Sequence, residues 1–73
     1  MKWEPVESSA FWAAAYAERQ ALLYLLFRSG EVYRYFEVPR WQYQEFLAAE
    51  SKGRYVGRNI RGRFRYERTR RLR

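Results

Sequence analysis

The stretch from Ala21 to Phe36 reads as a β-hairpin, and that hairpin limits every fold open to the chain. Ala21 to Phe27 (Ala-Leu-Leu-Tyr-Leu-Leu-Phe) is an apolar run of strand length. Arg28-Ser29-Gly30-Glu31 then reads as a tight turn, with Gly30 able to take a positive φ. From Glu31 to Phe36 the side chains alternate, so Val32, Arg34 and Phe36 point one way and Tyr33 and Tyr35 the other. Two strands by themselves are marginal in water; a third strand or a covering helix must bury their apolar face. Residues 9–16 are locally open to two readings. Alanine favours helix there, yet Phe11, Ala13 and Ala15 alternate with Trp12, Ala14 and Tyr16 as a strand would. The adjacent hairpin decides for strand, joined by the polar link Ala17–Gln20.

Val38-Pro39 marks a switch to helix, proline being suited to the first helical position. Tyr43, Phe46 and Leu47 fall at helical spacing, with Trp41 and Ala48 beside them. Ser51-Lys52-Gly53 is expected to end this helix, Gly53 acting as a C-terminal cap or turn. Val56, Ile60 and Phe64 recur every four residues and predict a second, short helix weakened by Gly57 and Gly62. Residues 67–73 hold one apolar side chain and are expected to be a disordered basic tail, and residues 1–7 a loose lead-in interrupted by Pro5. The predicted architecture is therefore α+β: a three-stranded antiparallel β-meander followed by one or two helices, in a single domain over residues 8–66.

At 73 residues the core is thin, and fifteen aromatic rings partly compensate. Cysteine, histidine and aspartate are all absent. That excludes a disulfide framework and argues against zinc sites, Ser-His-Asp or Cys-His nucleophiles and aspartate-held magnesium. The eight glutamates are scattered; Glu18, Glu31 and Glu37 fall near strand ends, but acid–base work needs a pocket that so small a domain hardly offers. No enzyme, metal or cofactor is expected. No run approaches a membrane span, and the N-terminus carries no signal-peptide pattern, so a cytoplasmic protein, monomeric when free, is expected.

Charge is sharply divided. Residues 1–51 are slightly acidic, whereas residues 52–73 hold ten basic residues against Glu67 alone. The cationic set is Lys52, Arg54, Arg58, Arg61, Arg63, Arg65, Arg68, Arg70, Arg71 and Arg73, interleaved with Tyr55, Phe64 and Tyr66. Arginine's planar fork binds phosphate or carboxylate with two hydrogen bonds and stacks on flat rings. Aromatics among cations suit single-stranded nucleic acid, although an acidic protein surface would satisfy the same arginines. Seven basic residues among the last thirteen exceed what solubility requires. Tyr33 and Tyr35 on one strand face either stack on bases or form the helix-facing core, and spacing favours core. Trp3, Trp12 and Trp41 are core anchors or interface contacts, Trp41 being the best placed to touch a partner. A basic helix lying on a membrane lacks an apolar face beyond Phe64.

The order Ser8-Ser9, Leu23-Tyr24-Leu25-Leu26-Phe27, Ser29-Gly30, Tyr33-Arg34-Tyr35, Val38-Pro39, Ser51-Lys52-Gly53-Arg54-Tyr55 and Ile60-Arg61 resembles the KTSC domain over about residues 6–66. That family takes its name from the C-terminus of some lysyl-tRNA synthetases and also includes free-standing small proteins. The resemblance implies RNA binding and points to Tyr33, Tyr35, Tyr55 and Arg61. Tyr55-Val56-Gly57 departs from the family's tendency to asparagine after the Tyr-aromatic pair, and the arginine tail is longer than the domain requires. In size and basic end the chain also resembles small phage-encoded regulators of bacterial RNA polymerase. Two functions are thus expected: a non-enzymatic transcription regulator contacting the large subunits of bacterial RNA polymerase, or an RNA- or tRNA-binding module using arginine–phosphate contacts and tyrosine stacking. The first is favoured at this point.

Overall fold

The hairpin and its partner strand form as expected. In the computed structural model, which describes residues 2–69, β2 (Phe11–Ala17), β3 (Leu22–Phe27) and β4 (Val32–Tyr35) make an antiparallel meander. Gly30 takes the left-handed φ of 96° in the β3–β4 turn. Its N–H donates to the Phe27 carbonyl at 2.9 Å. The sheet nevertheless has five strands, not three. The segment read as a lead-in contributes β1 (Glu4–Pro5), which pairs with β2. The segment read as a tail contributes β5 (Tyr66–Arg68), which pairs with β4 through Tyr35↔Tyr66, Arg34↔Glu67 and Tyr33↔Arg68. Neither segment has a periodic apolar pattern, because each is an exposed edge strand held mainly by the backbone ladder. Both edges are short and charged, and β1 carries a proline, features that discourage pairing with another chain.

Two helices lie between β4 and β5: α1 (Arg40–Ala48) and α2 (Lys52–Asn59). Pro39 is the extended residue just before α1 rather than its first helical residue. Its carbonyl accepts from the Gln42 N–H at 3.0 Å. The helix stops at Ala48, earlier than expected, and Ser51-Lys52-Gly53 starts α2 instead of ending α1. The Ser51 hydroxyl accepts a hydrogen bond from the Arg54 N–H, an N-cap that satisfies one orphan donor of the first turn. Gly53 starts α2 close to Ala10: a Cβ there would lie 3.4 Å from the Ala10 Cβ, at the near edge of ordinary van der Waals contact. Ile60 closes α2, so Phe64 lies in the following turn, although it still packs against the core.

A β-bulge between Phe11 and Ala13 decides which side chains of β2 face the helices. It shifts the alternation by one residue, so Phe11, Ala14 and Tyr16 share the face of Leu23, Leu25, Tyr33 and Tyr35. On that face Phe11, Leu23, Leu25 and Tyr35 meet Val38, Phe46, Val56 and Ile60 in one buried cluster. Phe11 and Phe46 touch edge to face with centroids 6.0 Å apart, and Tyr16 stacks on Tyr43 at 5.1 Å. The Tyr16 hydroxyl donates to the Val38 carbonyl at 2.6 Å, fixing the chain where it leaves the sheet. Gln42 is the one buried polar side chain among the described residues, and its amide donates to the Asn59 carbonyl at 3.3 Å, joining α1 to the end of α2. Among the described residues no helix is long and apolar enough to cross a membrane.

Because Glu67, Arg68 and Thr69 belong to the sheet edge, deleting residues 67–73 is expected to destabilise the fold, contrary to the tail reading. Both the Thr69 N–H and its hydroxyl donate to the Val32 carbonyl, at 2.7 and 3.0 Å. Losing these bonds and the ladder is expected to cost about 1–3 kcal/mol, the exposed Arg34–Glu67 and Arg68–Glu31 pairs adding little. For a domain of this size that lowers Tm by roughly 4–8 °C per kcal/mol, measurable by thermal circular dichroism. An unchanged Tm would mean that the β4–β5 pairing contributes nothing to stability.

Candidate functional site

Four of the residues singled out from sequence converge. Tyr33 and Tyr35 point from β4 toward the helices, Tyr66 lies across the ladder from Tyr35, and Arg61 comes from the turn after α2. With Phe27 and Glu31 they line a concavity of about 210 Å³. Tyr66 stacks on Tyr33 at 5.5 Å and tilts against Tyr35 at 5.6 Å, while Phe27 backs Tyr33 at 5.0 Å. Tyr35 forms the floor at 2 % exposure, and Tyr66 the rim at 52 %. Of the two alternatives for Tyr33 and Tyr35, the core reading describes Tyr35, which lies in the buried cluster, while the half-buried Tyr33 packs against that cluster; both face the helices and line the recess with Tyr66.

The charges around this recess are unequal. Glu31 is held by Arg68 at 3.0 Å, and Glu67 by Arg34. Arg61 makes no side-chain hydrogen bond or ion pair with the described residues and is exposed. Burial raises the Tyr35 phenol above the usual tyrosine range. Arg61 opposes that rise by favouring the phenolate, and the neighbouring Tyr33 and Tyr66 reinforce it.

The other cationic residues are spread over separate parts of the surface. Arg63 and Arg65 line a second, open recess of about 340 Å³ with Phe36, Glu37 and Phe64. The Arg63 Nε donates to the Arg58 carbonyl at 3.1 Å, and the Arg65 guanidinium lies 4.6 Å from the Phe36 ring centroid. Lys52 and Arg54 sit at the start of α2 beside Ser8, Ser9, Glu7 and Glu50, where the Lys52 ammonium donates to the Ala49 carbonyl at 3.0 Å. Tyr55 is drawn inward: its hydroxyl donates to Glu45 Oε1 at 2.7 Å and its ring touches Phe46. Trp41 stands apart on α1, 57 % exposed, and lines neither recess of the cationic end. Arg70, Arg71 and Arg73 lie outside the described residues. No cluster of three or more acidic side chains suited to a metal ion occurs among the described residues. Glu18 instead pairs with Arg40 at 2.8 Å.

The KTSC domain model matches residues 7–64, so the match takes in Tyr33, Tyr35 and Arg61 but stops short of Tyr66. The chain belongs to the KTSC domain family. A Tsukamurella paurometabola protein is 47 % identical over 62 residues, covering 85 % of this chain and 92 % of that protein. The lysine–tRNA ligase of a Nostoc species is 41 % identical over 61 residues, which is 84 % of this chain but 11 % of the ligase. The crystal structure of a KTSC domain protein from Yersinia pestis superposes with a TM-score of 0.91 at 32 % identity, covering 94 % of this chain and 97 % of that one.

In this KTSC domain the strongest arrangement missed from sequence is a set of arginines laid over rings: Arg28 over Trp12, and Arg34 with Arg65 over Phe36. Trp12 was legible only as a core anchor or contact, because the bulge that turns it outward has no composition signal. The alternation of Val32, Arg34 and Phe36 away from the tyrosines does identify half of the set.

The Tyr35–Arg61 relation is testable. Replacing Arg61 by alanine is expected to move Tyr35 ionisation further up, seen by following tyrosine signals through an alkaline NMR titration. Because the folded pKa of Tyr35 exceeds its unfolded value near 10, its contribution to stability is present below that pH and is lost as pH rises through the folded value. Tyr35→Phe should therefore flatten the alkaline decline in Tm. A Tyr35 titration insensitive to Arg61→Ala would place the guanidinium away from the recess.

Proposed function

We propose that this KTSC domain is a non-enzymatic RNA-binding module. Arg61 and Arg63 take phosphates, and an unstacked base enters beside Tyr66 at the rim of the tyrosine recess. The observation that carries this reading is Arg61, a guanidinium without an acidic partner among the described residues, beside Tyr66 and the two tyrosines whose rings Tyr66 contacts. Placing an exposed cation next to an exposed ring offers a nucleotide both a charge-assisted hydrogen bond and a stacking surface. Similarity to a segment of lysine–tRNA ligases, enzymes whose name gives tRNA as a substrate, supports the same choice of partner. The glutamate that lines the recess does not oppose it, since Glu31 is already paired with Arg68. The alternative, a regulator of bacterial RNA polymerase, would draw on the same cationic end, but the relatives reported above lend it no support.

The test is fluorescence anisotropy with a labelled tRNA transcript and a labelled twelve-nucleotide oligouridylate over a salt series. Log affinity is expected to fall linearly with log salt, with a slope near 0.7 per single-strand phosphate neutralised. Arg61→Ala should weaken binding about tenfold and reduce that slope by about one such contact. Arg19→Ala, which removes an exposed charge outside the cationic end, should change little. Equal losses from the two variants would reduce the effect to net charge and overturn the site. Tight binding to purified bacterial RNA polymerase without binding to either RNA would favour the alternative.

A further inference from the structure

The side of the sheet turned away from α1 and α2 carries its own order. Strand alternation places Ala13 and Ala15 of β2, Tyr24 and Leu26 of β3, Val32 and Arg34 of β4 and Glu67 of β5 on that side. None of them belongs to the helix-covered core cluster. Ala13, Ala15 and Val32 are nonetheless buried, lying directly across the ladder from the larger Tyr24 and Leu26. Trp3 meets Tyr24 edge to face at 6.3 Å, which sets it on the same side. The bulge adds Trp12, 51 % exposed. Beyond β4 the ladder continues, the Phe36 N–H donating to the Arg65 carbonyl at 2.8 Å, so Phe36 and Arg65 follow Arg34 and Glu67 on this face.

Guanidinium groups lie over rings at both ends of this surface. Arg28 sits 4.0 Å from the Trp12 ring centroid and is fixed by donating from Nε to the Ser8 carbonyl at 3.0 Å. Arg65 lies 4.6 Å and Arg34 5.7 Å from Phe36. Arg34 also donates to Glu67 across the ladder and lies directly opposite Tyr24 in the β3–β4 register. The face thus presents three arginines against Glu67, which is already bound to Arg34, with Glu37 at its edge beside Phe36 and Arg65. The excess positive charge calls for an anionic occupant, and the rings call for one with flat apolar groups. A duplex hides its base faces in its own stack, whereas a single strand exposes them.

We infer that this open face is a second nucleic-acid contact, on which unstacked bases of a single strand lie against Trp12, Tyr24 and Phe36 while its phosphates meet Arg28, Arg34 and Arg65. The inference rests on the RNA-binding reading above and extends it to the opposite side of the sheet, away from the tyrosine recess. Stacked on rings, these guanidiniums are already ordered, so a phosphate meeting them loses less side-chain entropy than with free arginines.

The experiment follows tryptophan emission in the Trp3→Phe/Trp41→Phe double variant, where Trp12 is the sole tryptophan, as twelve-nucleotide oligouridylate is added. Emission is expected to quench along the same curve that anisotropy gives for binding. Trp12→Ala, at an exposed bulge position, should weaken the oligonucleotide about five- to fifty-fold with unchanged far-ultraviolet circular dichroism. Binding by anisotropy without quenching of Trp12 would overturn the open-face contact and leave the recess reading standing. Absence of any binding would overturn both. Quenching by vesicles of anionic phospholipid but not by the oligonucleotide would overturn it in favour of a lipid surface.

Discussion

The cationic end of this chain acquires a defined geometry because β5 hydrogen-bonds along β4. Without that ladder, Tyr66 would have no fixed position across from Tyr35, and Glu67 would have no reason to meet Arg34. The pairing also closes a loop in the chain's logic. Both helices are inserted between β4 and β5, so the return of β5 to the sheet edge holds the end of α2, and with it Arg61, over the recess. Edge strands of three residues are weak by themselves. This one is reinforced by side chains that bridge to its neighbours: Arg34 to Glu67, Arg68 to Glu31 and Thr69 to Val32. Each ion pair is exposed and adds little stability. Their larger effect is on charge, because they remove the acids that would otherwise compete for the arginines beside them.

The central meander and the helical stretches were legible because they obey strong patterns. The apolar run to Phe27, the glycine turn and the alternation of Tyr33 and Tyr35 with Arg34 allow little else. What escaped the pattern did so for identifiable reasons. β1 and β5 are edge strands with solvent on one side and few apolar residues, so their stabilising interactions are backbone bonds that composition does not record. Ser51-Lys52-Gly53 was misassigned because serine followed by glycine fits a helix end as well as a start. The direction is set by the Ser51 hydroxyl reaching the Arg54 N–H and by the close approach of Gly53 to Ala10. The bulge at Trp12 was hidden for a similar reason: in a run of alanines, a shift of one residue exchanges like for like.

The candidate site divides in the same way. Arginine content marked the cationic end, and tyrosine spacing marked β4, so Tyr33, Tyr35 and Arg61 could be selected without coordinates. Their convergence with Tyr66 could not, since it depends on a strand pairing across about thirty residues of intervening chain. Tyr55 shows what spacing alone leaves out. It matched the pattern of an exposed aromatic among arginines, yet its position on α2 turns it toward Phe46 and Glu45, where it packs and donates.

A domain of this size cannot hollow out a deep cavity without losing the core that keeps it folded. Any recognition surface such a domain offers must therefore lie on the two faces and the rim of a thin sheet, and rigidity there has to come from packing between surface groups. Stacked tyrosines on one side and ring-backed guanidiniums on the other meet that requirement by the same means. In each case a flat group restrains its neighbour while leaving an edge or a plane exposed. Restraint of this kind lowers the entropy lost on binding, which is the main obstacle for long flexible cations. Such an arrangement suits arginine better than lysine, because an ammonium can hold a phosphate but cannot lie flat on a ring and keep its donors directed outward.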